Sequence, residues 1–235
     1  MSGEVEERKR QAAERAVDHV ESGMRLGLGT GSTARHMLDS LAERLRDGSL
    51  RDIIGVPTSR ETETYARRLG IPLATLNEQP RLDLTLDGAD EIDPRLDLIK
   101  GHGGALLWEK IVATASQRML VIADARKRVS RLGETVALPI EVVPFGWRTH
   151  LRFLEGIGAT PTLRSGDDGE AFVTDAGHFI IDCAFEGGIA DPYAIHTALS
   201  ERAGIVETGL FLGIAKAAVI AGPAGVEVVT RSSAA

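Results

Sequence analysis

The chain has 235 residues and a formal net charge of -7, from 27 Lys+Arg against 34 Asp+Glu; at roughly 150 residues per domain it holds one or two domains. Hydrophobic residues at 43% and charged residues at 26% exclude an intrinsically disordered chain, and an acidic balance with 4% aromatics excludes a nucleic-acid binder, which needs clustered cations. The single cysteine, Cys183, excludes an internal disulfide and fits a reducing compartment. The first 25 residues hold six acids and five bases without the apolar stretch of a secretory signal. The best candidate for a membrane span, GLFLGIAKAAVIAG, is interrupted by Lys216. A cytoplasmic protein with no membrane and no nucleic-acid partner is expected.

Residues 4–22 read as a helix, with Ala13, Ala16, Val17 and Val20 on one face. A strand follows from Met24 to Gly29, then an amphipathic helix with Ala34, Met37, Leu38, Leu41 and Leu45 at i, i+3, i+4 spacing. DIIGVP is the next strand. Thr58 and Glu61 form a capping box for a helix that ends at Gly70. PLATL is expected as a third strand, and RLDLTLD as a fourth, with Leu82, Leu84 and Leu86 on one side. ALLWEKIVATAS is helical and RMLVIAD extended. Strands alternating with helices predict an α/β fold with a mostly parallel, Rossmann-like sheet covered by helices on both faces.

After about residue 131 the order changes. PIEVVPF is a strand, WRTHLRFLEG a helix, TPTLR and AFVTD are extended, and a hairpin turn at Ala176-Gly177 leads to the strand FIIDCAF. A helix starts at Asp191-Pro192, with proline in its first turn, and GIVETGLFL closes the series. This β-α-β-β-α-β order predicts a smaller ferredoxin-like α+β domain over 132–207. The larger domain then comprises 1–131 and 208–235, with AAVIAGPAGVEVV as a hairpin that returns to the first sheet.

Four stretches can carry chemistry. Gly27-Leu28-Gly29-Thr30-Gly31-Ser32-Thr33 joins a strand to a helix; glycines expose backbone N–H groups, and a helix N-terminus favours an anion. A tight turn capped by Ser and Thr is the structural alternative. Gly29, Gly31 and Ala34 also fit the dinucleotide fingerprint, but DIIGVP lacks a ribose-binding acid at its end; Arg60 there leaves an NADP reading open. Asp87-Gly88-Ala89-Asp90-Glu91-Ile92-Asp93 puts four acids at the carboxyl end of a strand, for acid–base catalysis or as a solvated turn. The spacing matches no calcium loop or histidine pair, so no metal is expected. Lys100-Gly101-His102-Gly103-Gly104 is a second anion-friendly loop. It precedes a helix in which Glu109 sits beside Trp108 and Ile111, where desolvation would suit a general base; taken alone, Glu109 equally fits an exposed helix charge paired with a Lys or Arg. Asp124-Ala125-Arg126-Lys127-Arg128 puts three cations at another strand end, for an anionic substrate or as a solvated loop.

The ordered set GLGTGSTA, DLTLDGADEID, LIKGHGGALLWEKIVA, VIADARKRVSRLGE and LPIEVVPFGW resembles the type A ribose-5-phosphate isomerases, over nearly the whole chain. The resemblance implies an aldose–ketose isomerase that interconverts D-ribose 5-phosphate and D-ribulose 5-phosphate through an enediolate, in the non-oxidative pentose phosphate pathway. It implies no organic cofactor and no metal, and a homo-oligomer, dimer or tetramer. By position, Glu109 matches the family's proton acceptor. Asp87, Asp90 and Lys100 match its other catalytic groups. Thr30, Gly31, Ser32 and Thr33 match its substrate loop, Gly88 and Ala89 flank the acids, and Gly101, His102, Gly103 and Lys127 match further substrate contacts. Lys9 matches a phosphate-contacting lysine. Some relatives carry a glycine where His102 stands. A sugar-phosphate sensor of a transcription regulator would need an appended helix pair for DNA, and residues 1–22 supply one helix.

Overall fold

In a computed structural model, residues 2–231 are described. Six α-helices and 13 strands are found among them, in chain order. Helix α1 (Ser2–Val17) is followed by β1 (Arg25–Leu28), α2 (Ser32–Arg46), β2 (Ile54–Pro57), α3 (Arg60–Arg68) and β3 (Leu82–Asp87). Two short strands, β4 (Glu91–Ile92) and β5 (Leu98–Ile99), precede α4 (Leu106–Thr114) and β6 (Ser116–Asp124). Then come β7 (Leu138–Val142), α5 (Leu151–Gly156), β8 (Ala159–Leu163), β9 (Phe179–Phe185), α6 (Pro192–Ser200) and β10 (Ile205–Thr208). The chain closes with β11 (Leu210–Phe211), β12 (Ala215–Gly222) and β13 (Gly225–Thr230).

The chain divides into two units. The larger takes residues up to Ala89, Trp108–Lys127 and the chain from Gly213 on; the smaller takes Asp90–Leu107 and Arg128–Leu212. Residues 90–107, 128–131 and 208–212 thus group with the smaller unit, whereas the strand pattern assigns them to the larger domain. The cause is local pairing: β4, β5 and β11 form a three-stranded sheet of their own. The buried Glu91 also accepts hydrogen bonds from the backbone N–H groups of Gly133, Thr135 and Val136.

The larger unit is built on a six-stranded sheet of order β13-β12-β6-β3-β1-β2, parallel throughout except for the β12–β13 hairpin. The returning hairpin expected at the C-terminal end is therefore present, with β12 beside β6. Leu26 and Leu28 of β1 point to one face, where they join Ala13, Val17, Met37, Leu38 and Leu41 of α1 and α2 in the main core. Each of the leucine, valine and methionine side chains among them contributes roughly 1.5–3 kcal/mol by leaving water. Between them Gly27 faces the other side. A Cβ there would lie 2.6 Å from Val112 of α4, so the missing side chain lets α4 sit close against the sheet. Thr85 and Asp87 are buried as well as the three leucines of β3, as expected for a strand covered on both faces.

Three local expectations change. PLATL makes only one bridge, Leu73 to Gly55, because Pro72 cannot donate and the chain turns at once through Thr75, whose N–H and hydroxyl bond Glu78. Helix α3 is capped by Ser59, which accepts from the Thr62 N–H at 3.0 Å, and not by Thr58. Thr58 is fully buried, and both its N–H and its hydroxyl donate to the Leu28 carbonyl, prolonging the β1–β2 pairing by one residue. The first helix ends at Val17, where the chain tightens into i→i+3 turns at His19 and Val20.

In the smaller unit the β-α-β-β-α-β series forms a four-stranded antiparallel sheet of order β10-β7-β9-β8, the arrangement of a split βαβ unit. Leu138, Ile140, Val142, Ile181 and Cys183 line its covered face with Leu154 of α5 and Leu199 of α6. AFVTD is held by the bridges Ser165–Ala171 and Val173–Phe179, without becoming a continuous strand. GIVETGLFL is split at Gly209, whose N–H goes to Pro139 and whose carbonyl takes the Lys100 N–H. Two sheets thereby claim its two halves.

Candidate active site

Strand β1 leads through α2 to β2 on one side, while β3 lies on its other side, so the chain reverses direction across the sheet between β1 and β3. Ligands of open α/β sheets bind outside the carboxyl ends of strands at such a point. Here Gly29 follows β1 and Asp87 ends β3. The Gly29 N–H bonds the Leu86 carbonyl at 2.9 Å, and Asp87 Oδ1 accepts the N–H groups of Thr30 at 3.1 Å and Gly88 at 2.7 Å. Asp87 is fully buried. A carboxylate that accepts two backbone N–H groups is oriented before any substrate arrives.

The loop after β1 divides its work. The Thr30 hydroxyl lies within 2.8–3.1 Å of the hydroxyls of Thr58, Ser59 and Thr62, and Thr62 donates to the Gly29 carbonyl. Thr30 thus ties the loop to the start of α3, while its N–H serves Asp87. Gly31 and Ser32 are exposed and Thr33 is half-buried at the N-terminus of α2. Lys9 of α1 donates to Ser32 Oγ at 3.0 Å and to Glu6 at 2.6 Å, which brings a cation to the same helix start. The Lys9 contact holds the Glu6 carboxyl below the usual glutamate range, with His36 adding to it.

Helix α4 places Glu109 with 5% exposure, although Ile111 two residues on is 46% exposed. The carboxyl is therefore turned inward and not onto the solvated side of the helix. At the end of β6, the basic run is not three equivalent cations. Arg126 is paired with Asp124 through its Nε at 2.7 Å and Nη2 at 3.2 Å. Burial alone would raise the Asp124 carboxyl, but the Arg126 bonds outweigh it and hold Asp124 low. Lys127 closes the short 3-10 turn Ala125–Lys127, half-buried, on the strand next to β3.

The smaller unit carries Asp90, Lys100, Gly101, His102 and Gly103. Asp90 Oδ2 accepts the His102 N–H at 3.0 Å. Lys100 is 2% exposed, with its Nζ 5.5 Å from the centre of the Phe211 ring. Gly101 and Gly104 are buried, and His102 and Gly103 exposed. Ala89 and Gly88 are half-buried in the linker from β3 to Asp90. The four acids of the run 87–93 separate by role. Glu91 is an anchor for the 133–136 backbone, and Asp93 Oδ1 accepts the N–H groups of Arg95 and Asp97 at 2.8 Å, closing the turn between β4 and β5. Burial pushes the Asp93 carboxyl up.

Among the described residues, no group of three or more His, Cys, Asp or Glu is arranged to hold a metal ion, and no helix is long and apolar enough to cross a membrane. A separate apolar cleft of about 530 Å³ in the larger unit, walled by Val56, Leu73, Leu76, Trp108 and Ile111, is lined by none of the candidate site residues.

The family described as Ribose 5-phosphate isomerase A (phosphoriboisomerase A) matches residues 54–225. A ribose-5-phosphate isomerase A of Roseiflexus castenholzii is 58% identical over 218 residues, 93% of each chain, and one of Nitrobacter hamburgensis is 55% identical, covering 95% of this chain and 97% of that one. Among solved structures, the ribose 5-phosphate isomerase of Plasmodium falciparum superposes with a TM-score of 0.93 at 39% identity, over 97% of this chain and 100% of the other. A D-ribose-5-phosphate isomerase in complex with phospho-erythronic acid gives the same TM-score and identity, over 97% and 99%. With identity above half along almost the entire length, and the same fold at a TM-score above 0.9, this chain belongs to the ribose 5-phosphate isomerase A family.

Proposed function

We propose that the chain interconverts D-ribose 5-phosphate and D-ribulose 5-phosphate through an enediolate, as a step of the non-oxidative pentose phosphate pathway. The observation that carries the reading is the buried Asp87, held by the Thr30 and Gly88 N–H groups at the switch point of the sheet, in a chain of this family. An aldose–ketose isomerase opens the sugar ring, removes the C2 proton and delivers a proton to C1. Asp87 exchanges the proton that ring opening requires. Glu109, buried on α4, takes the C2 proton, which the adjacent carbonyl acidifies, and returns it to C1. Lys100, with Asp90 beside the same loop, stabilises the charge growing on the carbonyl oxygen. The loop Thr30–Thr33 and Lys127 hold the phosphate, so that binding at the unreactive end positions the reacting end. Gly88, Ala89, Gly101, His102 and Gly103 line the sugar.

Turnover in this reading requires no metal and no organic cofactor, because Lys100 and backbone N–H groups supply the electrophile. The protein works in the cytoplasm as a homo-oligomer. Phe145, which is 93% exposed on the smaller unit, offers an apolar side chain for such a contact.

The test is a direct assay of ribose 5-phosphate conversion with EDTA present, on the parent and on Glu109→Gln. The parent is expected to turn over. The amide variant keeps shape but cannot accept a proton, so kcat falls about 10²-fold or more with KM little changed. In deuterated water the parent incorporates solvent deuterium into product, and Glu109→Gln releases no label from C2. A parent that needs a divalent metal, or a variant with more than about a tenth of the parent kcat, would overturn the assignment, the latter because a general base contributes at least about 10²-fold.

A further inference from the structure

We infer that Arg164, held by Asp182, is a positioning residue for the isomerisation: it sets the orientation of the Gly101–Gly103 backbone. This rests on the functional reading above and adds to it a residue 55 positions beyond Glu109 that none of the chemistry-bearing motifs contains.

Arg164 follows β8. Its N–H bonds the Ile180 carbonyl at 2.8 Å, and its own carbonyl takes the Phe172 N–H at 2.9 Å, so the backbone is fixed on both sides. Opposite Ile180, it lies diagonal to Asp182, two residues further along β9 and on the same face of the sheet. There Nε and Nη2 meet the two oxygens of the Asp182 carboxylate at 2.9 and 2.5 Å, a bidentate pair that locks the plane of the guanidinium. The remaining nitrogen, Nη1, donates to the carbonyls of Gly101 at 2.9 Å and His102 at 3.1 Å. The side chain is only 13% exposed.

A trans peptide points its C=O and its N–H in opposite directions. With the Gly101 carbonyl turned to Arg164, the His102 N–H must face away from it, and that N–H is indeed the one that Asp90 Oδ2 accepts at 3.0 Å. With the His102 carbonyl turned the same way, the Gly103 N–H faces away from Arg164 as well. Gly103 is exposed, and its N–H has no acceptor among the described residues. The guanidinium thus presents two successive backbone donors on one side of the loop, one set on Asp90 and one open to a ligand oxygen.

Phe172 fixes the end of the same loop. Its ring lies 5.8 Å from the Arg164 guanidinium, and a Cβ on Gly104 would come within 2.4 Å of it. The loop is clamped at 101–102 by the Arg164 hydrogen bonds, and at 104 by packing and by the Gly104 N–H, which donates to the same Gly101 carbonyl at 3.0 Å. Only the open donor at 103 is left between the two clamps.

The loss of a preorganised donor to a developing oxyanion costs about 10²–10³ in kcat, and misplacement by about 1 Å can cost 10². Arg164→Lys keeps a cation beside Asp182 but cannot span a carboxylate and two carbonyls. It is expected to lower kcat about 10–100-fold with KM within about threefold, the pattern of an interaction used in the transition state. Affinity for phospho-erythronate, a carboxylate analogue of the enediolate, should fall in step with kcat. Arg164→Ala should regain activity in added guanidinium at a concentration that leaves the parent unchanged. A folded Arg164→Lys enzyme with kcat within about twofold of the parent, or a loss confined to KM, overturns the inference. If Arg164→Lys does not fold, Asp182→Asn decides. It keeps the arginine but frees its plane, and a kcat-selective loss supports the proposal while an unchanged kcat overturns it. A parent without isomerase activity defeats the functional reading itself; an active parent with unaffected variants defeats only the role of Arg164.

Discussion

Gly29 and Asp87 approach so closely across the β1–β3 boundary that a Cβ on Gly29 would stand 2.2 Å from Asp87 Oδ1 and 2.6 Å from the Asp87 Cα. Backbone, and not just a flexible side-chain end, occupies that space. The glycine is therefore a condition for placing the Asp87 carboxylate under the Thr30 N–H. Gly29→Ala is expected to displace Asp87, lowering kcat for ribose 5-phosphate by at least about tenfold and stability by about 1–3 kcal/mol, the usual cost of overpacking. Gly48→Ala, outside the candidate site, is the control. Nothing lies within 4 Å of its Cβ, so it pays only for its φ of +79°, about 1–2 kcal/mol. Steady-state kinetics with a thermal melt on both variants checks this. Equal activity in the two would show that the position of Asp87 does not matter to turnover.

The phosphate arms are testable separately from the reacting end. Thr33→Ala and Lys127→Ala should each raise KM for ribose 5-phosphate, and inorganic phosphate should compete with substrate in the parent. Removal of one charge-assisted hydrogen bond is worth about 1.5–3 kcal/mol, or roughly a 10–100-fold rise in KM for Lys127. An unchanged KM in both variants places the phosphate elsewhere. Lys9→Ala should behave in the same direction, since its ammonium already reaches Ser32 Oγ.

His150 gives a pH dependence with a defined sign. It is 3% exposed, and its Nδ1 accepts from Arg202 Nε at 3.0 Å. Burial first, and the Arg202 charge second, hold its pKa below the ordinary 6.5. The unfolded chain then binds this proton more readily than the folded one, so stability is full above pH 6.5 and is lost as pH falls toward the folded pKa. The thermal midpoint of the parent should therefore drop more steeply between pH 6.5 and 5 than that of His150→Asn. Parallel profiles would remove His150 as the cause.

Cys183 is fully buried in the smaller unit, and burial, aided by the neighbouring Asp182, pushes its thiol up to about 12. Since the thiolate is the nucleophile, iodoacetamide at pH 8 should leave the native enzyme active and modify Cys183 only after unfolding, at a rate at least about 100-fold higher. Mass spectrometry of alkylated native and urea-treated protein reads this directly. Rapid modification of the folded protein would contradict the burial.

The sequence alone determined the alternation of strands and helices in the larger unit, the β-α-β-β-α-β series of the smaller one, and the loops at strand ends that bear Thr30–Thr33, Asp87–Asp90 and Lys127. These are local properties: the periodicity of apolar residues and the chemistry of Gly, Ser and Pro at turns act over a few residues and survive into the fold. Tertiary structure decided what each polar side chain does. Glu91 and Asp93 stand in the same run as Asp87 and Asp90, yet Glu91 serves N–H groups 42–45 positions away and Asp93 closes its own turn. The Thr30 hydroxyl, in the loop that the resemblance matches to substrate binding, is drawn into a hydroxyl cluster with α3. Arg126 is claimed by Asp124, and Arg164 reaches a loop 62–63 residues earlier in the chain. The long-range pairings among these follow from sheet register and packing, which bring together atoms far apart in sequence, and no local pattern of residues encodes which buried donor will meet which acceptor.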